Sequence, residues 1–241
     1  MRTGCERALG DDEIAPGGGR GEHAVQFKIV FYGPALCGKT TNLAYIHGQV
    51  EDTNKGELVS LATAADRTLF FDLLPLNAVV IKGFKTKFQL YTVPGQVIYN
   101  ATRQLVLRSV DGVVFVADSQ WNKMEENVDS FQNLQDNLAR QGASLDNIPY
   151  ILQYNKRDMP NAAPVHYLEF LLNNRKTRVP SFQGCATTGE GVFATLNAIS
   201  RLLLQKFARE MEAASRQKSA SPAAYSSLSG IAAGTTRPPR P

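Results

Sequence analysis

Cysteine, histidine and tryptophan are scarce in this chain: three, three and one among 241 residues. Cys5, Cys37 and Cys185 are an odd number at unrelated spacings, which argues against a disulfide framework and a zinc site. His23, His47 and His166 share no spacing with one another or with a pair of acids, so they carry no assigned role. No apolar run approaches the roughly 18–20 residues that a membrane-spanning helix needs. Residues 1–21 are polar and glycine-rich, unlike a secretory leader. Glycine does not follow Met1 and no cysteine lies near Pro241, so motifs for myristoylation and prenylation are missing. Together these absences predict a reduced, cytoplasmic protein.

What is present suffices for one packed domain with tails. The apolar fraction is 43% and the formal net charge is +4. Residues 213–241 hold Arg216, Lys218, Arg237 and Arg240 and no acid, so this segment carries the whole excess. Four charges spread over this Ala-, Ser- and Pro-rich stretch read as a solvated, disordered tail, and no nucleic-acid partner is expected. Residues 1–23 read as a disordered extension and residues 24–212 as the folded unit.

Residues 33–40, Gly33-Pro34-Ala35-Leu36-Cys37-Gly38-Lys39-Thr40, match the phosphate-binding loop G-x-x-x-x-G-K-[ST]. The apolar run Val25–Tyr32 precedes the loop as a strand, and Thr41–Ile46 follows as a helix start. Gly33 and Gly38 permit the tight turn. Backbone N–H groups across Leu36, Cys37, Gly38, Lys39, Thr40 and Thr41 are then expected to face phosphate at a helix N-terminus. Lys39 supplies positive charge and Thr40 a hydroxyl for Mg²⁺.

Downstream, strands and helices alternate. Val110–Asp118, Pro149–Tyr154 and Val179–Ala186 read as strands. Helical spacing runs through Met124–Leu138, Val165–Leu172 and Phe193–Met211. Leu58–Thr63 and Ala78–Val93 read as a hairpin. The expected fold is α/β: a mostly parallel, six-stranded P-loop sheet with one antiparallel edge strand and helices on both faces.

Asn155-Lys156-Arg157-Asp158 follows the Tyr150 strand and fits guanine reading. The Asp158 carboxylate would accept from the ring N1–H and the exocyclic amine, Asn155 would meet the O6/N7 edge, and the Lys156 stem would cover the ring. Adenine lacks both donors, which argues against an ATP-using enzyme. Cys185-Ala186-Thr187 stands where such proteins fix guanine through backbone groups. Thr92-Val93-Pro94-Gly95-Gln96 stands where GTP switches usually carry D-x-x-G-Q. The Gly95 N–H is a candidate γ-phosphate sensor and Gln96 a candidate to orient the attacking water. Thr92 replaces the usual acid, which predicts weaker Mg²⁺ support or a different arrangement behind the metal. Thr68 is a candidate second Mg²⁺ ligand, and Arg67 an intrinsic arginine able to neutralise charge in the transition state.

Leu69–Pro75 reads either as an exposed partner surface or as a strand half-buried against the first helix. Cys37 reads as a small packing residue, and Trp121 and Asn122 as a helix cap at the surface.

The set G-P-A-L-C-G-K-T-T-N-L, D-R-T-L-F-F-D-L-L-P, F-K-T-K-F-Q-L-Y-T-V-P-G-Q, G-V-V-F-V-A-D-S-Q, Y-N-K-R-D and G-E-G-V-F resembles the MglA-type small Ras-like GTPases of bacteria. The likeness covers about residues 24–208 and includes Thr92 and the D-R-T segment. It implies a GTP/GDP switch requiring Mg²⁺ and acting in cell polarity or gliding motility. It also implies polarity or motility effectors, possible recruitment to a pole or membrane through partners, and a homodimeric Roadblock/LC7-type (MglB-like) activator. Docking of that activator would bring Arg67 and Gln96 into catalytic position. The alternative is a GTP-loaded scaffold that hydrolyses little, motivated by Thr92 and the long tails.

Overall fold

The computed structural model describes residues 24–62, 68–81, 84–175 and 177–219. The expected extension at 1–23, Arg67 and the last part of the expected tail lie outside them. In chain order the elements are β1 (Ala24–Tyr32), α1 (Lys39–Gln49), β2 (Val59–Ala62), β3 (Thr68–Ile81), β4 (Phe84–Thr92), α2 (Asn100–Leu107), β5 (Gly112–Asp118), α3 (Met124–Ala139), β6 (Tyr150–Asn155), α4 (Val165–Leu172), β7 (Ser181–Gln183) and α5 (Val192–Ser219).

The sheet has seven strands in the order β2-β3-β4-β1-β5-β6-β7. Neighbours from β4 to β7 pair in parallel. β3 runs antiparallel to both β2 and β4. The α/β class is as expected, with two corrections. There is a seventh strand, and the antiparallel strand is second from the edge rather than at it. The stretch read as one strand, Ala78–Val93, contributes to both arms of the β3–β4 hairpin, and β2 pairs with β3. β3 ends at Ile81 and β4 begins at Phe84, so the single-strand reading runs across Gly83, the available turn signal in that stretch.

Strands β5 and β6 are buried along their whole length, as central parallel strands must be when helices cover both faces. Alternation along β1 sends Val30 and Tyr32 into a core shared with Leu107, Phe115, Phe131, Leu134 and Leu152. Ile29 and Phe31 are equally buried on the opposite face. Gly112 lets α5 pack closely on β5: a Cβ there would lie 3.1 Å from Ile199 Cδ1, so that side chain would have to shift by a few tenths of an ångström.

The chain divides into two compact units, residues 1–205 and 206–241. The first is the α/β domain. The second, as far as it is described, is the helical stretch 206–219. The tail expected from residue 213 is therefore helical through Ser219. Ala213, Ala214, Arg216, Gln217 and Lys218 include strong helix formers, and Pro222 is the first breaker after them.

Candidate nucleotide-binding site

β1 ends by turning sharply at Gly33, whose φ is +149°. A Cβ there would sit 2.1 Å from the Val116 carbonyl oxygen. Leu36 and Gly38 are also left-handed, at φ +59° and +99°. This sequence of turns carries the chain into α1, whose first residue is Lys39. The Lys39 ammonium is buried and donates to the carbonyls of Gly33, at 3.1 Å, and Pro34, at 2.6 Å. Burial holds its pKa below the usual lysine range. Cys37 is fully buried beside it, and desolvation pushes its thiol pKa up, which fits a packing residue.

Gly38 is constrained twice. Its φ is positive, and a Cβ would lie 2.1 Å from Asn155 Nδ2. Gly38→Ala is expected to lower stability by about 1–3 kcal/mol, the usual scale of a strained backbone position. It should also weaken GDP binding, because Asn155 must move. Thermal melts and a fluorescent GDP titration would check both.

Thr40 donates its hydroxyl to Asp72 Oδ2 at 2.6 Å. Asp72 lies on the buried face of β3, which alternates with the half-buried Phe71, Leu73 and Pro75. The run Leu69–Pro75 is thus a strand. The pairing of Leu73 with Tyr91 brings Asp72 beside Thr92. Thr92 Oγ1 donates to Asp72 Oδ2 at 2.7 Å and accepts from the Asp72 N–H at 2.9 Å. Ser60 of β2 donates to Oδ1 at 2.5 Å. A carboxylate missing at position 92 is present one strand away, bonded to the residue that replaced it.

The loop after β4 comes down onto the phosphate loop. A Cβ on Gly95 would lie 2.3 Å from Ala35 Cα, so only glycine fits. Gln96 is half-buried, and its carbonyl accepts from the Tyr99 N–H at 3.2 Å. Thr68 opens β3 opposite Ala62.

At the other end, Asn155 closes β6. Its Nδ2 donates to the Cys37 carbonyl at 2.7 Å, and its Oδ1 accepts from the Ala186 N–H at 2.9 Å. The side chain expected to read the base is also a brace between the phosphate loop and the Cys185-Ala186-Thr187 segment, with one amide proton left for a ligand. Cys185 is buried, its Sγ 3.1 Å from Thr187 Oγ1. Lys156 has φ +63° and extends its ammonium to Asp118 Oδ2 at 2.7 Å. Asp158 is exposed. The phosphate loop, the Gly95–Gln96 loop, Asn155 and the Cys185–Thr187 segment thus follow the carboxyl ends of β1, β4, β6 and β7.

Residues 21–203 match the ADP-ribosylation factor (Arf) family. The Mutual gliding-motility protein MglA of Myxococcus xanthus (strain DK1622) is 57% identical over 180 residues, covering 75% of this chain and 91% of that protein. The chain belongs to the Arf family. It is a small GTPase and a homologue of MglA, as its motifs led us to expect, and its ligands are guanine nucleotides.

Three residues of this Arf-family site escaped sequence reasoning. Asp72 sits inside an apolar run. Its one available signal was an acid on a strand whose alternate positions are buried. Asp118, fully buried at the end of β5, orients Lys156. An acid closing an apolar strand could have marked it. Arg103 lies in α2, a helix the sequence reading did not identify, and no motif marks it. Among the described residues, no helix of this Arf-family chain is long and apolar enough to cross a membrane.

Proposed function

We propose that this chain is a Mg²⁺-dependent GTP switch. Its intrinsic turnover would be slow and stimulated by a homodimeric Roadblock/LC7-type, MglB-like activator. The process governed would be cell polarity or gliding motility. The name of the Myxococcus relative and its 57% identity support that choice. In this reading the protein is cytoplasmic and reaches poles or membranes through partners.

The observation that carries the reading is the meeting of two loops. Gly95 rests on Ala35 with no room for a side chain. A γ-phosphate entering the loop built by Gly33–Thr40 must therefore address the Gly95 backbone. Nucleotide state is thereby coupled to the position of Gln96. Little covalent chemistry is required of the protein, so catalysis reduces to positioning and charge. Lys39 would neutralise phosphate oxygens, Gln96 would orient water, and Arg67 would meet developing charge.

The residues present fit Mg²⁺. Thr40 would hold it directly and Thr68 would join when the γ-phosphate is bound. Asp72, buried against Thr40 and Thr92, would take the part of the carboxylate behind the metal. Mg²⁺ bound there would offset the negative charge of the phosphates. Thr92 in place of an acid and the long tails motivate the alternative, a scaffold that barely hydrolyses. Asp72, bonded to Thr92, speaks against the first of these motives.

The test is single-turnover hydrolysis of GTP by the full chain, with and without a candidate Roadblock-type dimer. It should be paired with competition by GDP and ATP. Slow hydrolysis, strong stimulation and failure of ATP to compete are expected. Tight GTP binding without stimulation by any such dimer would contradict the activator, and ATP competing as well as GDP would contradict the guanine site.

A further inference from the structure

Arg103 is among the largest side chains with no exposure to solvent. A buried guanidinium is stable only where its donors are satisfied. Here Nε donates to the Pro94 carbonyl at 2.8 Å and Nη2 donates to the Gly95 carbonyl. Nη1 donates to Asn133 Oδ1 at 2.8 Å. The guanidinium also faces the Tyr32 ring, 5.3 Å from its centroid. All three hydrogen bonds go to neutral oxygens, and two of them to consecutive carbonyls of the loop that carries Gly95 and Gln96.

The support beneath this fork is itself ordered. Asn133 Oδ1 accepts also from the Tyr32 hydroxyl at 2.6 Å and from Asn137 Nδ2 at 3.2 Å. Asn133 and Asn137 both donate to Asn100 Oδ1, at 3.1 and 2.8 Å, across the contact between α3 and α2. Tyr32 is the last residue of β1, directly before Gly33. The network therefore joins the root of the phosphate loop, α3 and the Pro94–Gln96 loop through one guanidinium.

We infer that Arg103 is a positioning residue for hydrolysis: it sets the Gly95–Gln96 peptide plane, and with it the starting point of the Gln96 side chain. Fixing the Gly95 carbonyl fixes the N–H of Gln96 across the same planar peptide. The Pro94 carbonyl held beside it stops the loop from rolling about Gly95. Lysine cannot substitute, since an ammonium on a flexible stem does not reproduce a planar fork bonding two carbonyls and an amide together. The inference rests on the GTP-switch reading, in which Gln96 orients water.

The test uses the full chain loaded with GDP, comparing Arg103→Lys and Asn133→Ala with the unsubstituted protein. Asn133→Ala keeps every atom of Arg103 and removes its anchor, so it carries the test if Arg103→Lys does not fold. Hydrogen–deuterium exchange is followed at residues 95–99 and in β5, alongside GDP affinity and single-turnover hydrolysis at a saturating Roadblock-type dimer, the state in which Gln96 reaches its catalytic position in that reading. Exchange at 95–99 is expected to rise about tenfold with β5 unchanged. Turnover should fall about 10–100-fold, the scale of an ångström-sized misplacement, and GDP affinity should stay within about twofold, since in this reading Arg103 acts on hydrolysis rather than on the ground-state site. Unchanged exchange in folded variants, or a rise shared equally by β5, would overturn the inference. If the unsubstituted chain does not hydrolyse GTP but exchange at 95–99 still rises, the seat for the loop stands and the GTP-switch reading fails. If the unsubstituted chain hydrolyses and both variants keep pace with it, the inference fails alone.

Discussion

Activator-stimulated GTP turnover is expected to fall about 10³–10⁵-fold in Arg67→Ala, the range over which a transition-state arginine acts. Gln96→Leu should lose stimulated turnover as well. GDP affinity should be retained in both, because neither residue belongs to the loop that grips the ground-state phosphates. The physical distinction is between binding that is uniform and binding that strengthens only as charge develops. Lys39, buried against the carbonyls of Gly33 and Pro34, is of the first kind in this scheme. Gln96, half-buried in the loop held by Arg103, is of the second. Single-turnover rates at saturating activator, with nucleotide affinity measured separately, would check the split. Full stimulated turnover in either variant would remove that residue from the mechanism.

Asp72→Asn is the second large effect. The substitution preserves shape and removes charge. Hydroxyls of Ser60, Thr40 and Thr92 can rotate to meet an amide, so the loss of stability should be modest, about 1–3 kcal/mol for weakening bonds to a charged group. The Mg²⁺ concentration needed for half-maximal retention of GTP should rise at least about tenfold, one pKa-sized step of about 1.4 kcal/mol. Asp72→Ala would confound the two, since it leaves three hydroxyls, the fully buried one of Thr92 among them, without their acceptor. A magnesium titration of nucleotide release, run beside a thermal melt, separates them. An unchanged magnesium requirement in a stable Asp72→Asn chain would remove Asp72 from the metal site.

The local motifs were legible because their chemistry is written in consecutive residues. A phosphate loop needs glycine where φ is positive, and Gly33 and Gly38 stand there. A guanine site needs N-K-x-D after a buried strand, and β6 delivers Asn155 to that point. The alternation of apolar strands and helices likewise implied the α/β class. Strand pairing was not legible. An antiparallel register depends on where a hairpin turns, and one residue of slip reverses which face is buried. The β3–β4 register therefore decides that Asp72 meets Thr92 and Thr40, 20 and 32 residues away. Arg103 depends in the same way on α2 packing against α3, where Asn133 lies 30 residues on. Chemistry within one loop can be read along the chain, whereas a charge contributed across strands or helices exists only once distant segments have packed together.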